Sequence, residues 1–464
     1  MPHNIKFGTD GFRAIIAEDF TFKNVELITK SIAIYIKNRY GADKPVLIGY
    51  DTRFMADKFA KFSAEILQSL GYKVLLSNAF LPTPAIAYCA KHLCSAGAIM
   101  FTASHNPPEY CGIKYIPDYA GPATNAITDE IVANIGIEPQ PSGKKHEIQT
   151  FCAKDYYFAA LEELIDFDKI KTLKTKIIFD PLYATAQGYF DTILNKNGIE
   201  VTTIHNWTDP LYGGHMPEPK EQYLGELKQL VLSNQNAVGF SNDGDADRYG
   251  VFDENGEYVT PNEVMTILLN HLIKYKKAKG KLIKTVAGSL MLDKTAEIYN
   301  IEVIETAVGF KHVGEAMREN PTIIGGEESG GLSIGVHIPE KDGILANLLV
   351  LEAMAYAQKP LFELKKEIKE LIKTNYINKR YDLKLSEEQK QKMLDLFLNT
   401  PPTSFAGKAV TKTCKKDGVK FYMDDNNSWI LIRFSGTEPL LRIYFESPDE
   451  NFIEQAFNEI KRTC

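Results

Sequence analysis

The chain is 464 residues long, which at about 100–200 residues per domain is room for three or four domains. With 44% apolar and 24% charged residues it has the balance of a soluble globular protein that buries large cores without disulfide staples. The formal charge of −7 argues against a general nucleic-acid binder, and six cysteines without a CxxC pair read as reduced thiols. The start of the chain, MPHNIKFGTDGFRAII, shows no apolar stretch of signal-peptide kind. The longest near-apolar run, 344–357, contains Asn347 and Glu352 and is too short to span a bilayer. The expectation is a cytoplasmic protein, monomeric or homodimeric, with neither membrane nor nucleic acid as partner.

Strand-like and helix-like segments alternate from the start. Residues 46–49 form a short apolar run that stops before Asp51. Residues 54–70 place Phe59, Phe62, Ile66, Leu67 and Leu70 at helical spacing, Gly71 follows as a C-cap, and 74–76 reads as the next strand. Residues 96–101 are another apolar run, ending at Thr102. The pattern restarts at 176–179, with a helical stretch near 184–197 and a strand at 201–204. It restarts again at 282–287, with a helix near 290–299 and a strand at 301–304. Three such units predict α/β domains with mostly parallel sheets and point to an internal repeat. Residues 135–150 and 374–382 read as linkers. Strand-like stretches at 418–423, 429–433 and 441–445 predict an α+β C-terminal domain. The expected divisions are 1–145, 151–255, 256–373 and 378–464.

Ligands of open α/β sheets sit at the carboxyl ends of strands. Asp51-Thr52-Arg53 and the stretches 102–107 and 243–248 all fall there. In Thr102-Ala103-Ser104-His105-Asn106-Pro107, a strand-end hydroxyl can be a nucleophile or phosphate carrier, and His105 can donate to phosphate oxygens. A plain Asn-Pro turn is the alternative. Asp243, Asp245 and Asp247 repel one another unless they are solvated apart or share a cation, and hard oxygen ligands suit Mg²⁺ or Ca²⁺. Glu254 completes EF-hand spacing, but Arg248 stands where that loop needs glycine, and the preceding segment reads as a strand. Arg248 can instead share an incoming phosphate with a metal. The loop Gly325-Gly326-Glu327-Glu328-Ser329-Gly330-Gly331 offers Glu327 and Ser329 to vicinal sugar hydroxyls and lacks the lysine of a P-loop. Arg433-Phe434-Ser435-Gly436-Thr437-Glu438-Pro439 joins an arginine, hydroxyls and turn N–H groups in a pattern that binds a dianionic phosphate. An ordinary Gly-rich loop and an ordinary hairpin turn are the alternatives for these two.

Read jointly, GTDGFR, TASHNP, DGDADR, GEESGG and RFSGTEP resemble the α-D-phosphohexomutase superfamily, especially its phosphoglucomutase/phosphomannomutase members, over nearly the whole chain. The resemblance implies a four-domain, heart-shaped architecture: three related α/β domains plus an α+β C-terminal domain around a central cleft. It implies a phosphoserine at Ser104, Mg²⁺ on Asp243, Asp245, Asp247 and a phosphoserine oxygen, and sugar contacts from Glu327 and Ser329. Arg433, Ser435, Gly436 and Thr437 match its phosphate anchor, and Arg13, Lys114 and Arg248 match cations beside the transferring phosphoryl group. Lys114 is the candidate general base. The implied reaction interconverts hexose 1-phosphate and hexose 6-phosphate through a 1,6-bisphosphate, with glucose 1,6-bisphosphate as activator. TASHNPPEY and GEESGG look more like glucose-type or dual-specificity members, mannose included, than like phosphoglucosamine mutases. A phosphoglucosamine mutase, a metal-dependent sugar phosphatase and a non-catalytic sugar-phosphate binder are the alternatives.

Overall fold

The computed structural model describes residues 5, 7–8, 11–434 and 440–463. Its first three sheets follow one path. In the first, Val46–Tyr50 founds the sheet, and helix Ala56–Ser69 crosses to Val74–Ser77, parallel on one side. Helix Thr83–His92 crosses to Ala98–Phe101, parallel on the other side, and the chain then turns into the antiparallel Tyr110–Ile116. Lys176–Asp180, Val201–Thr203, Ala237–Asn242 and Tyr249–Phe252 repeat this path. Lys281–Thr285, Val303–Thr306, Thr322–Gly326 and Leu332–Ile334 repeat it again. The internal repeat expected from the restarting pattern is therefore a repeated topology, with spatial order 2-1-3-4 each time. The turns between third and fourth strands hold Ser104, the three aspartates and Glu327 respectively.

Local differences from expectation have physical causes. The helix near 184–197 is confined to Phe190–Lys196, because residues 184–189 form turns and Gly188 takes φ +71°. Segment 135–150 is irregular until Gln149–Phe151, which joins the edge of the first sheet. The second expected linker, 374–382, is overturned. Ile377–Lys384 is a strand paired along its whole length with Leu440–Ser447. Its half-buried positions are Ile377, Lys379, Tyr381 and Leu383, so the alternation is interrupted at Lys379, and the exposed Asn378, Arg380, Asp382 and Lys384 give the segment the polar composition of a linker. It heads a six-stranded antiparallel sheet with Leu440–Ser447, Trp429–Phe434, Val419–Met423, Lys408–Cys414 and Ser404–Phe405, covered by helix Glu450–Thr463.

The near-apolar run becomes helix Gly343–Ala357, buried from Gly343 to Ala355 on every face, as an all-round apolar helix must be. It belongs to one core shared by residues of the first three sheets. No described helix is long and apolar enough to cross a membrane. The polar side chains inside this helix bond to neighbouring segments, although Asn347 Oδ1 has no hydrogen-bond partner among the described residues. Asn347 donates to the Ser241 carbonyl and to Asn242 Oδ1, both at 3.2 Å. Glu352 accepts from the Asp166 N–H (2.8 Å), Lys276 (2.7 Å) and His271 Nε2 (2.9 Å). Burial pushes the Glu352 carboxyl up, but the hydrogen bonds from His271 and Lys276 prevail and hold it below its ordinary range.

Glu352→Gln should therefore destabilise the protein by about 3 kcal/mol at neutral pH, since it breaks a buried charged cluster. A depressed carboxyl stabilises fully above its unfolded value of about 4.3 and loses that contribution as pH falls through the folded value. Urea melts at neutral pH and near pH 3.5 should show the gap between wild type and variant closing in acid. A gap independent of pH would count against the carboxylate.

Candidate active site

Ser104 lies at φ +51°, a left-handed conformation that costs a non-glycine residue about 1–3 kcal/mol. Its N–H donates to Thr102 Oγ1 at 2.8 Å. The loop is held chiefly by Arg53, whose side chain is fully buried. Arg53 Nη1 donates to the carbonyls of Pro107 and Tyr110, both at 2.8 Å. Nη2 donates to those of Ser104 and Asn106, both at 2.7 Å. Asp51 balances the charge at 3.2 Å and accepts the Arg53 N–H at 2.9 Å. Asp51-Thr52-Arg53 stood at a strand end in the sequence without a task, and bracing the serine loop is what Arg53 does.

The carboxylate loop meets the serine loop directly. Ser104 Oγ donates to Asp243 Oδ2 at 2.9 Å and lies 3.3 Å from His105 Nδ1. Gly244 permits the approach, because a Cβ there would fall 2.3 Å from the Ser104 carbonyl oxygen. Asp243, Asp245 and Asp247 are fully buried, with one ligand atom of each within 4.8 Å of the others. Burial and the neighbouring Asp247 and Asp245 push Asp243 well above its ordinary range. Burial also raises Asp245, but Lys114, Lys341 and Thr83 overcome it and hold that carboxyl down to about 2. Thr83 Oγ1 donates to Asp245 Oδ2 at 2.7 Å, and Lys114 Nζ lies 3.6 Å from the same oxygen. Asp245 Oδ1 and Asp247 Oδ1 lack a hydrogen-bond partner among the described residues, and Asp247 Oδ2 faces the Lys341 ammonium at 2.8 Å. Buried, orphaned carboxylate oxygens are a donor set that fits a hard divalent cation such as Mg²⁺.

A cavity of about 1150 Å³ opens beside these loops and is lined from all four sheets' domains. Arg13, His105, Arg248, Glu327, Ser329 and Arg433 all reach its wall. Ser104, Lys114 and the aspartates are buried next to it rather than on the wall. Arg13 Nη1 donates to the Ala103 carbonyl (3.2 Å) and to Asn106 Oδ1 (2.9 Å). Arg248 faces Glu218 at 3.6 Å, and its N–H donates to Asp243 Oδ1 at 3.0 Å. Arg248, burial and Arg13 together push His105 well below its ordinary range, so its imidazole is neutral near pH 7. Glu327 accepts from the Gly309 N–H at 3.0 Å, and burial pushes its carboxyl up to about 7. Arg433 pairs with Asp417 at 2.8 Å. Ser435, Gly436 and Thr437 lie outside the described residues. Sequence reasoning missed Lys341, which lines the cavity as well as pairing with Asp247. Its one local signal was a charged PEKD stretch just before the apolar helix.

Comparison with known proteins covers most of the chain. Residues 4–140, 155–256 and 260–371 match alpha/beta/alpha domains I, II and III of phosphoglucomutase/phosphomannomutase, and 383–462 match its C-terminal domain. The phosphoglucosamine/phosphogalactosamine mutase of Sulfurisphaera tokodaii is 30% identical, over 98% of each chain. The phosphoglucomutase/phosphomannomutase of Thermococcus kodakarensis is 29% identical, over 96% of this chain and 95% of its own. A solved Thermus thermophilus protein assigned as a phosphomannomutase superposes with TM-score 0.86 at 31% identity, covering 99% of this chain and 98% of that one.

Arg53→Lys replaces a planar fork of donors by a point charge and cannot keep all four carbonyl contacts. Amide hydrogen exchange across 104–110 should speed up about tenfold or more, while the core strands stay protected. Unchanged exchange in that loop would remove Arg53 from its bracing role.

Proposed function

The chain belongs to the phosphoglucomutase/phosphomannomutase family of the α-D-phosphohexomutase superfamily, an isomerase class of intramolecular phosphotransferases, and we propose that it moves a phosphoryl group between O1 and O6 of a hexose through a phosphoserine at Ser104. The observation that carries this reading is the Ser104 Oγ–Asp243 contact of 2.9 Å, which joins the carrier loop to the carboxylate loop at the edge of a four-sided cleft. Phosphoryl transfer asks mainly for charge stabilisation and alignment. Asp243, Asp245 and Asp247 would hold Mg²⁺, which when bound neutralises phosphoryl oxygens. Arg13, Arg248 and Lys114 add positive charge from this chain's own side chains. Lys114 is ion-paired with Asp245 at 3.6 Å, so general-base duty at the sugar hydroxyl requires that pair to open. Neutral His105 serves as a hydrogen-bond partner to the serine oxygen rather than as a charge.

Glu327 and Ser329 read sugar hydroxyls, and Arg433, with Ser435, Gly436 and Thr437, anchors the phosphate that is not in transfer. A hexose 1,6-bisphosphate formed by the first transfer turns over in the cleft and returns its other phosphate to Ser104. Glucosamine is the first sugar to test. The name of the Sulfurisphaera relative supports it, and the acidic pair Glu327 and Glu328 on the cavity wall suits an ammonium. Glucose and mannose, favoured by the motif reading, come next.

Three arms test this. The protein is incubated with Mg²⁺, a trace of the matching 1,6-bisphosphate, and glucosamine, glucose or mannose 1-phosphate. Formation of a 6-phosphate supports the mutase, whereas release of free phosphate without isomerisation would falsify it. Ser104→Ala should lower turnover by about a thousandfold or more while retaining sugar-phosphate binding. Robust mutase activity in that variant sinks the carrier role.

A further inference from the structure

The phosphate anchor and the sugar loop belong to different domains, yet one carboxylate ties them together. Asp417 occupies the turn between Lys408–Cys414 and Val419–Met423 of the C-terminal sheet. Three donors converge on its Oδ2: Arg433 Nη2 at 2.8 Å, Arg433 Nε at 3.0 Å, and the Val308 N–H at 3.0 Å. Val308 lies in the third domain, on the cavity wall. The next N–H in the chain, that of Gly309, donates to Glu327 Oε1 at 3.0 Å. Consecutive peptide groups thus reach a carboxylate in each domain, and the path runs from Arg433 through Asp417, Val308 and Gly309 to Glu327. Gly418 makes the turn tight enough. It takes φ +76°, and a Cβ there would fall 2.2 Å from the Ile432 carbonyl oxygen and 3.0 Å from Arg433 Cγ.

We propose that Asp417 is a positioning residue that sets the distance between Arg433 and the Glu327 loop, and thereby measures the length of the sugar phosphate. The inference rests on the reading of Arg433 as the phosphate anchor. A hexose phosphate presents its ring hydroxyls at a fixed number of bonds from its phosphate, so the two binding groups must be spaced to within a fraction of an ångström. A lone, partly exposed ion pair contributes little. This one has a backbone donor from the neighbouring domain on the same oxygen, which converts a local pair into an interdomain spacer.

Steady-state kinetics of Asp417→Ala, Asp417→Glu, Arg433→Ala and the Asp417→Ala/Arg433→Ala double variant test it, using whichever of glucosamine 1-phosphate and glucose 1-phosphate wild type turns over. Asp417→Ala should raise KM about tenfold and leave kcat within about twofold. Asp417→Glu keeps the charge but adds a methylene, so it should also raise KM. The double variant should have a KM no higher than Arg433→Ala alone, because Asp417 acts through Arg433. A general docking role would instead make the two effects multiply, and that result overturns the proposal. An unchanged KM in Asp417→Ala beside a raised KM in Arg433→Ala overturns the spacer alone. An unchanged KM in Arg433→Ala overturns the anchor reading, and the spacer with it. Asp417→Asn keeps the shape of the side chain and replaces the alanine variant if that one fails to fold.

Discussion

Three carboxylates buried within 4.8 Å of one another repel, and much of the surrounding structure answers that repulsion. The groups that face them come from separate parts of the chain. Ser104, Thr83 and Lys114 reach in from the first domain, and Lys341 from the third. The electrostatics of one short loop therefore fixes how these domains meet. The carboxylate oxygens that remain without hydrogen bonds, on Asp245 and Asp247, are what a divalent cation would satisfy.

The repeated sheet topology explains why such different loops can share one cleft. Each motif occupies the turn from a parallel strand into an antiparallel neighbour, at the carboxyl end of the third strand of its unit. One architectural position thus carries a hydroxyl, a carboxylate cluster and a glycine-rich acidic loop in the three domains. The buried helix Gly343–Ala357 locks the arrangement, because it is apolar on every face and its Asn347 and Glu352 side chains bond across unit boundaries. Close approach then depends on missing atoms: at Gly244 even a methyl group would collide with the serine loop.

The C-terminal domain works differently. Its antiparallel register puts Asp382, Arg442 and Arg433 side by side on adjacent strands, and Arg433 and Arg442 both reach the cavity. Directly opposed like charges are unfavourable in a sheet unless something pairs with them, and this face is suited to an anion. The domain is fastened to the third by Glu446, which accepts the Leu290 N–H at 2.6 Å, and by Lys420, which donates to the Val286 carbonyl at 2.7 Å. Burial and the nearby Lys284 push Lys420 down to about 8, because both disfavour its charged form.

Much of this was legible in order along the chain. The apolar runs that end at Asp51, Thr102, Asp180 and Asp243 announce buried strands, and their restarts announce related α/β units. Strand Ile377–Lys384 reads as a linker because Lys379 interrupts its half-buried row of Ile377, Tyr381 and Leu383, and four exposed polar residues dominate its composition. The chemistry each loop can offer is written in the sequence, since hydroxyl, carboxylate, glycine and arginine are read where they stand. Which of these groups face one another is a property of the folded chain alone. Ser104 and Asp243 meet across 139 positions, and no sequence pattern pairs Lys341 with Asp247 or Asp417 with Arg433. Such pairs follow from how strands cross and how closely backbones approach, and those distances belong to packing rather than to any pattern in the chain. The serine and the aspartates stand in the sequence as two separate motifs joined only by the family resemblance, and the fold brings them into contact.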